Sequence, residues 1–99
     1  MQEALHSESY LILDLLQDRE GFGLELVERS GGALKRGTVY VTLARMQDKG
    51  YVTSRTEAAP PGAIGLPRRL YRPTAYGVAV LNVWNRAERA LARWRLREA

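Results

Sequence analysis

Between Lys35 and Lys49 the chain gathers side chains that bind anions or read polar edges: Lys35, Arg36, Thr38, Tyr40, Thr42, Arg45 and Lys49. Ammonium and guanidinium groups neutralise phosphates, and hydroxyls donate to phosphate oxygens, here Thr38 and Tyr40. Val41 has the shape to touch a thymine methyl and Arg45 the fork to read guanine, so the major groove of duplex DNA is the expected partner. A second basic set, Arg55, Arg68 and Arg69, lies later in the chain. Catalytic chemistry lacks its parts. With one His, His6, and no Cys, no nucleophile–base constellation can be assembled and no transition-metal site is expected within one chain. No catalytic residue and no cofactor are predicted.

These residues need a helix to present them. Val39, Leu43 and Met46 recur at spacings of four and three residues, one apolar stripe of a helix. The opposite face carries Arg36, Thr38, Val41, Thr42, Arg45 and Lys49. The helix is entered through Lys35-Arg36-Gly37 and stopped by Gly50. Lys35 and Arg36 would then add their charge to the partly positive helix start.

The other elements follow in order. Ser7 to Gln17 reads as a first helix, with Ser7 or Ser9 as its cap and Glu8 in its first turn. Tyr10, Leu11, Ile12, Leu13, Leu15 and Leu16 make it apolar on almost every side, as for a helix buried on more than one face. Leu24 to Arg29 is a second, short helix with Leu24, Val27 and Phe22 facing in. Its leading Gly-Phe-Gly supplies a tight turn and lacks the further glycine and preceding strand of a dinucleotide loop. Ala33-Leu34 is expected as a brief extended piece. Tyr51 to Thr56 and Arg68 to Arg72 read as two strands of a hairpin, joined by an exposed loop over Glu57 to Pro67 with three prolines and two glycines. Thr74, after Pro73, caps a last helix. There Val80, Trp84, Ala87, Leu91 and Trp94 are spaced four, three, four and three, a heptad seam. A second row, Thr74, Val78 and Leu81, would face the hairpin and first helices. A seam bearing exposed tryptophans calls for a second copy, so these five residues are the expected dimer interface.

Size and charge agree. Ninety-nine residues suit one domain, and the net charge of +4 with a pI near 9.9 favours a polyanionic partner. No apolar run is long enough for a membrane span, and the N-terminus has acids where a signal peptide carries bases, so a cytoplasmic protein is expected. Three helices followed by a hairpin is the plan of a winged helix-turn-helix: mainly α (α+β), with a two-stranded wing and a long C-terminal dimerisation helix. The division expected is 1–73 for DNA binding, with the wing about 51–72, and 74–97 for dimerisation.

The run LKRGTVYVTLARMQDKGYV closely resembles the third helix of the PadR family of bacterial transcriptional regulators. GLPRRLYRPTAYG, from Gly65 to Gly77, resembles that family's wing-closing motif, and GFGLEL its second-helix start. The resemblance implies a winged-helix homodimer acting as a repressor on a palindromic operator, with contacts to DNA falling on Thr38, Tyr40, Arg68 and Arg69. It also implies that the C-terminal helix, often with the first helix, carries the dimer. Lys35 departs from the small polar caps frequent in the family, and Pro73 from a common aliphatic. One C-terminal helix matches the short subtype. Some members bind flat aromatic drugs or phenolic acids between subunits through a tryptophan, a role for which Trp84 is the candidate here.

Plainer readings stand beside these. They take Lys35 and Arg36 as solvated charges, Arg45 as a surface partner of Asp48 or Glu25, Arg68-Arg69 as an ordinary charged wing, and Trp84 as packing. The alternative function is a winged-helix module that binds protein rather than DNA.

Overall fold

The structure is a computed structural model that describes residues 7–57, 62 and 68–98. The elements are α1 (Ser7–Asp18), α2 (Gly23–Arg29), α3 (Arg36–Asp48), β1 (Val52–Glu57), β2 (Arg68–Pro73) and α4 (Ala75–Glu98). This is the expected winged helix-turn-helix order. His6 and most of the loop between the strands lie outside the described residues.

The core is built from the stripes that the periodicity picks out. Val39, Leu43 and Met46 of α3 are buried against Ile12, Leu13 and Leu16 of α1, and Leu34, Val52, Tyr51, Tyr71 and Leu81 close around them. Each such side chain withdrawn from water contributes roughly 1.5–3 kcal/mol. In α2 Val27 packs against the core as expected and Leu26 is fully buried, whereas Leu24 is 43% exposed. A seven-residue helix is too short for spacing alone to choose its inner face. Ser7 and Ser9 both fall inside α1 rather than before it. Leu34 lies in a turn, not a strand. There Ser30 Oγ accepts from the Leu34 amide at 2.9 Å and donates to the Val27 carbonyl at 2.7 Å.

The strands pair antiparallel, Val52 opposite Pro73 through Glu57 opposite Arg68. A third short piece joins them. Gly21, between α1 and α2, exchanges both backbone hydrogen bonds with Tyr71, at 3.2 and 2.9 Å, and so fastens the wing to the first helices.

α3 ends in a Schellman turn. The Gly50 amide donates to Gln47 and the Tyr51 amide to Met46, with Gly50 at φ +82°, a conformation that a side chain would strain. The start of α4 is bolted onto that turn. Thr74 Oγ1 donates to the Gly50 carbonyl at 2.5 Å and accepts from the Gly77 amide at 2.9 Å, and the Thr74 amide donates to the Tyr51 carbonyl at 3.0 Å. Gly77 is pressed against Tyr51 so closely that a Cβ there would fall on the carbonyl group, 2.9 Å from its carbon.

α4 runs for 24 residues, about 36 Å of helix. Its first half belongs to the core. Leu81 is buried, Val80 and Trp84 pack against the cluster, and Tyr10 of α1 donates to Asn85 at 2.5 Å. From Arg86 to Glu98 every residue is exposed. The expected seam therefore divides: Val80 and Trp84 lean on their own domain, while Ala87, Leu91 and Trp94 are open to solvent. Among the described residues no helix is long and apolar enough to cross a membrane.

The Gly77 contact makes a prediction. Alanine in a helix normally gains stability over glycine, but Gly77→Ala must push α4 off the Tyr51 carbonyl. We expect a net loss of about 2 kcal/mol, read as a fall in Tm of about 10 °C. Circular dichroism melting of the two proteins checks it.

Candidate nucleic-acid interface

α3 enters without a side-chain cap. Its N-cap is Lys35, extended at φ −102° and ψ 139°, whose own side chain makes no capping hydrogen bond. An ammonium only donates, so it cannot satisfy those amides. Among the described residues no side chain caps the positive end of the helix, and Lys35 and Arg36 are exposed beside it. Along the outer face Thr38, Tyr40, Val41 and Arg45 are exposed and Thr42 is half-buried, as the stripe on the opposite side requires. Arg45 is not engaged as the plainer reading had it: Glu25 pairs with Arg19 at 3.5 Å, and Arg45 takes part in none of the ion pairs among the described residues.

Tyr40 turns toward the wing. Its ring lies over the bare backbone of Gly23, where a Cβ would come 2.7 Å from the ring carbon Cζ. Phe22, Gly23, Leu24, Tyr40, Tyr71, Arg68 and Arg69 line an open cleft of about 510 Å³. The outward turn of Leu24 is explained here, because it forms part of the cleft wall. Arg69 Nη1 donates to Ser54 Oγ at 3.1 Å, and Ser54 Oγ donates to Gln47 Oε1 at 2.9 Å, so the wing arginine is tied through one serine to the end of α3. The Arg68 guanidinium stacks over Phe22, 4.3 Å from its ring centre, and also lies 3.8 Å from Glu57. Burial pushes the Tyr71 phenol up. The nearby Arg69 charge opposes that rise and Tyr40 adds to it. Tyr71 therefore stays protonated beside the two arginines.

The site residues expected from sequence fall into two groups. Tyr40, Arg68 and Arg69 meet at the cleft. Arg55 does not join them: it donates to Glu20 Oε2 at 2.6 Å, toward the α1–α2 connection. Alternation along a strand accounts for this. Ser54, Tyr71 and Arg69 share one face of the hairpin and Arg55 with its partner Leu70 the other, which parts Arg55 from Arg69; Arg68 is on Arg55's face by register and joins the cleft at the strand end, where its guanidinium lies over Phe22. The structure also adds a residue that the sequence did not bring forward. Glu8 of α1 accepts from Thr38 Oγ1 at 3.2 Å and from Thr42 Oγ1 at 3.0 Å. These partners lie 30 and 34 residues away, beyond any local pattern.

Comparison with known proteins fits this geometry. The chain matches the transcriptional regulator PadR-like family over residues 12–83. No curated protein matches it. Among solved structures, a PadR family transcription regulator from Clostridium difficile is 23% identical, covers 93% of this chain and 97% of its own, and superposes with a TM-score of 0.78. A Thermoplasma acidophilum protein is 30% identical over 95% of this chain and 91% of its own, with a TM-score of 0.70. Bacillus subtilis PadR, solved in complex with operator DNA, is 25% identical and covers 82% of this chain and 48% of its own, with a TM-score of 0.71. The family match takes in α2, α3, both strands and the first turns of α4, and on that ground the chain belongs to the PadR-like family of transcriptional regulators.

Proposed function

We propose that the protein is a homodimeric repressor that binds a two-fold symmetric DNA operator, with α3 in the major groove and the wing on the flanking backbone. The observation that carries this is the convergence of Tyr40, Arg68 and Arg69 on one cleft beside the exposed face of α3. Such a cleft accepts a phosphate while Val41 and Arg45 reach base edges. That Bacillus subtilis PadR was solved in complex with operator DNA supports duplex DNA as the partner. Lys35, Arg36, Thr38 and Thr42 complete the proposed face. Arg55 is a reserve contact that must leave Glu20 to reach DNA.

The proposed dimer forms through Ala87, Leu91 and Trp94 of paired α4 helices, flanked by Val80 and Trp84. Leu91, Trp94 and Leu96 are 57%, 59% and 77% exposed, a large apolar surface for water to cover. A dimer sets the two reading helices about 34–36 Å apart, one turn of duplex. Repression follows by occlusion of the promoter. Trp84 is half-buried against its own core and sits in the same heptad row as Leu91 and Trp94. A flat aromatic effector stacked there is the ligand-responsive form of this reading.

Gly37 gives separate support. It lies in the first turn of α3 with no described residue within 4 Å of where a Cβ would stand, so packing among these residues does not require a glycine. A bare backbone at that point suits close approach by a phosphate. Gly37→Ala should raise stability by about 0.5–1 kcal/mol yet weaken duplex binding. Melting and binding measured on one preparation check both signs.

The main test is titration of labelled duplex, selected from a random pool with and without aromatic ligands. Tyr40→Ala and Arg69→Ala should weaken binding to every sequence, whereas Arg45→Ala should change which sequence is preferred. Wild-type affinity should fall with salt at a log–log slope near −0.9 for each phosphate neutralised. Equal affinity of wild type and Tyr40→Ala would count against the cleft as the phosphate site. A protein-interaction module, the other reading, would show almost no anisotropy rise with any duplex at low salt. For the dimer, sedimentation at micromolar concentration should give two subunits for wild type and one for Leu91→Glu/Trp94→Glu.

A further inference from the structure

The outward hydroxyls of α3, on Thr38 and Thr42, stand one helical turn apart and donate to opposite oxygens of one carboxylate, Glu8. A hydroxyl has one proton and two lone pairs. Both protons are directed into the protein. The other acceptor near Thr38, the Lys35 carbonyl at 3.5 Å, is also the chain's own. An approaching molecule therefore meets lone pairs, with a negative charge behind them. Phosphate oxygens are anionic and only accept, so they are disfavoured on both counts. The exocyclic amino groups of adenine and cytosine, which donate at the edge of the major groove, find two prepared acceptors.

We infer that Glu8 is a specificity-determining residue: it fixes Thr38 and Thr42 as hydrogen-bond acceptors, so that α3 selects adenine and cytosine amino groups and resists loose seating on the phosphate backbone. This rests on the duplex-binding reading above. It revises the part expected of Thr38, whose hydroxyl the sequence offered to phosphate. Labour is divided accordingly: the cleft of Tyr40, Arg68 and Arg69 holds a phosphate, and the threonine pair reads bases.

Glu8→Gln keeps the side chain's shape, removes its charge and supplies an amide that can itself donate to the hydroxyls. Wild type and Glu8→Gln are titrated with the duplex recovered by selection and with a scrambled duplex of equal length. Binding to the scrambled duplex should tighten, and the ratio of selected to scrambled affinity should fall by about fivefold, the low end of what one side-chain pair to a base confers. An unchanged or larger ratio overturns the inference, whether both affinities rise together, as for simple charge removal, or fall together, as for a structural prop. In a Thr38→Val/Thr42→Val background the Glu8→Gln change should no longer move the ratio. A ratio that still falls there overturns the route through the hydroxyls. Glu8→Ala should act with the same sign and replaces Glu8→Gln if melting shows that variant unfolded. A wild type that binds no duplex at low salt removes the duplex reading and this inference together. A wild type that prefers its selected duplex, with a ratio that Glu8→Gln leaves unmoved, removes this inference alone.

Discussion

The close seating of Gly77 and Thr74 on the Gly50–Tyr51 turn is the constraint from which the rest of the architecture follows. One hydroxyl and two amides at the start of α4 are spent on the Gly50 and Tyr51 carbonyls of the turn that follows α3 and on the helix's own first turn. The same few residues end α3, begin β1, close the wing and launch α4. Because a Cβ at position 77 has no room, the crossing is fixed by backbone contact rather than by adaptable side chains. α3 and the projecting tail of α4 are thereby held in one geometry. A shift at this point would swing the far end of a helix about 36 Å long through several ångströms, altering the spacing of any two reading helices joined through it.

Within that frame the basic residues are held to different degrees. Arg69 is braced through Ser54 to Gln47 of α3, and Arg68 rests on Phe22 of the α2 entrance, so both wing arginines are indexed to the helix-turn-helix. Neither contact consumes the cation in a buried pair. The Arg68–Glu57 pair is exposed on both sides and contributes little in water, about 0–1 kcal/mol. Guanidinium groups that are oriented but weakly paired can exchange a local partner for a phosphate at small cost. Arg55, at 2.6 Å from Glu20, has more to give up and points elsewhere.

The sequence made much of this legible, and the limit has a physical form. Val39, Leu43 and Met46 could be read as an inner face because a 13-residue helix repeats its period often enough to show it. Gly50 and Thr74 could be read because stop and cap signals are local. Leu26 was lost to Leu24 in a helix of two turns, where one residue of phase decides the face. The Gly21–Tyr71 bridge, the Glu8 clasp on Thr38 and Thr42, and the Tyr10–Asn85 bond between α1 and α4 join residues far apart in sequence. No spacing rule reports such pairs, since they exist only once the elements have packed. The site was therefore visible as a set of residue types, while its polarity, and the separation of Arg55 from Arg69, depended on register and on a carboxylate from another helix.

α4 shows how one pattern can serve two purposes. A continuous heptad from Val80 to Trp94 suggests a single partner along its length, but the helix passes from the domain into solvent partway. Val80 and Trp84 fall on the near side and are drawn into the domain's own core, with Leu81 fully buried between them. Leu91 and Trp94 fall on the far side, where no described residue covers them. A small domain cannot extend its core along a projecting helix, because the surface exposed grows faster than the interior gained. A second α4 would offer the same residues in the same spacing, which makes self-pairing an economical cover for the exposed apolar residues beyond Arg86; in the proposed dimer the fixed crossing at Gly77 would set the distance between the two copies of α3.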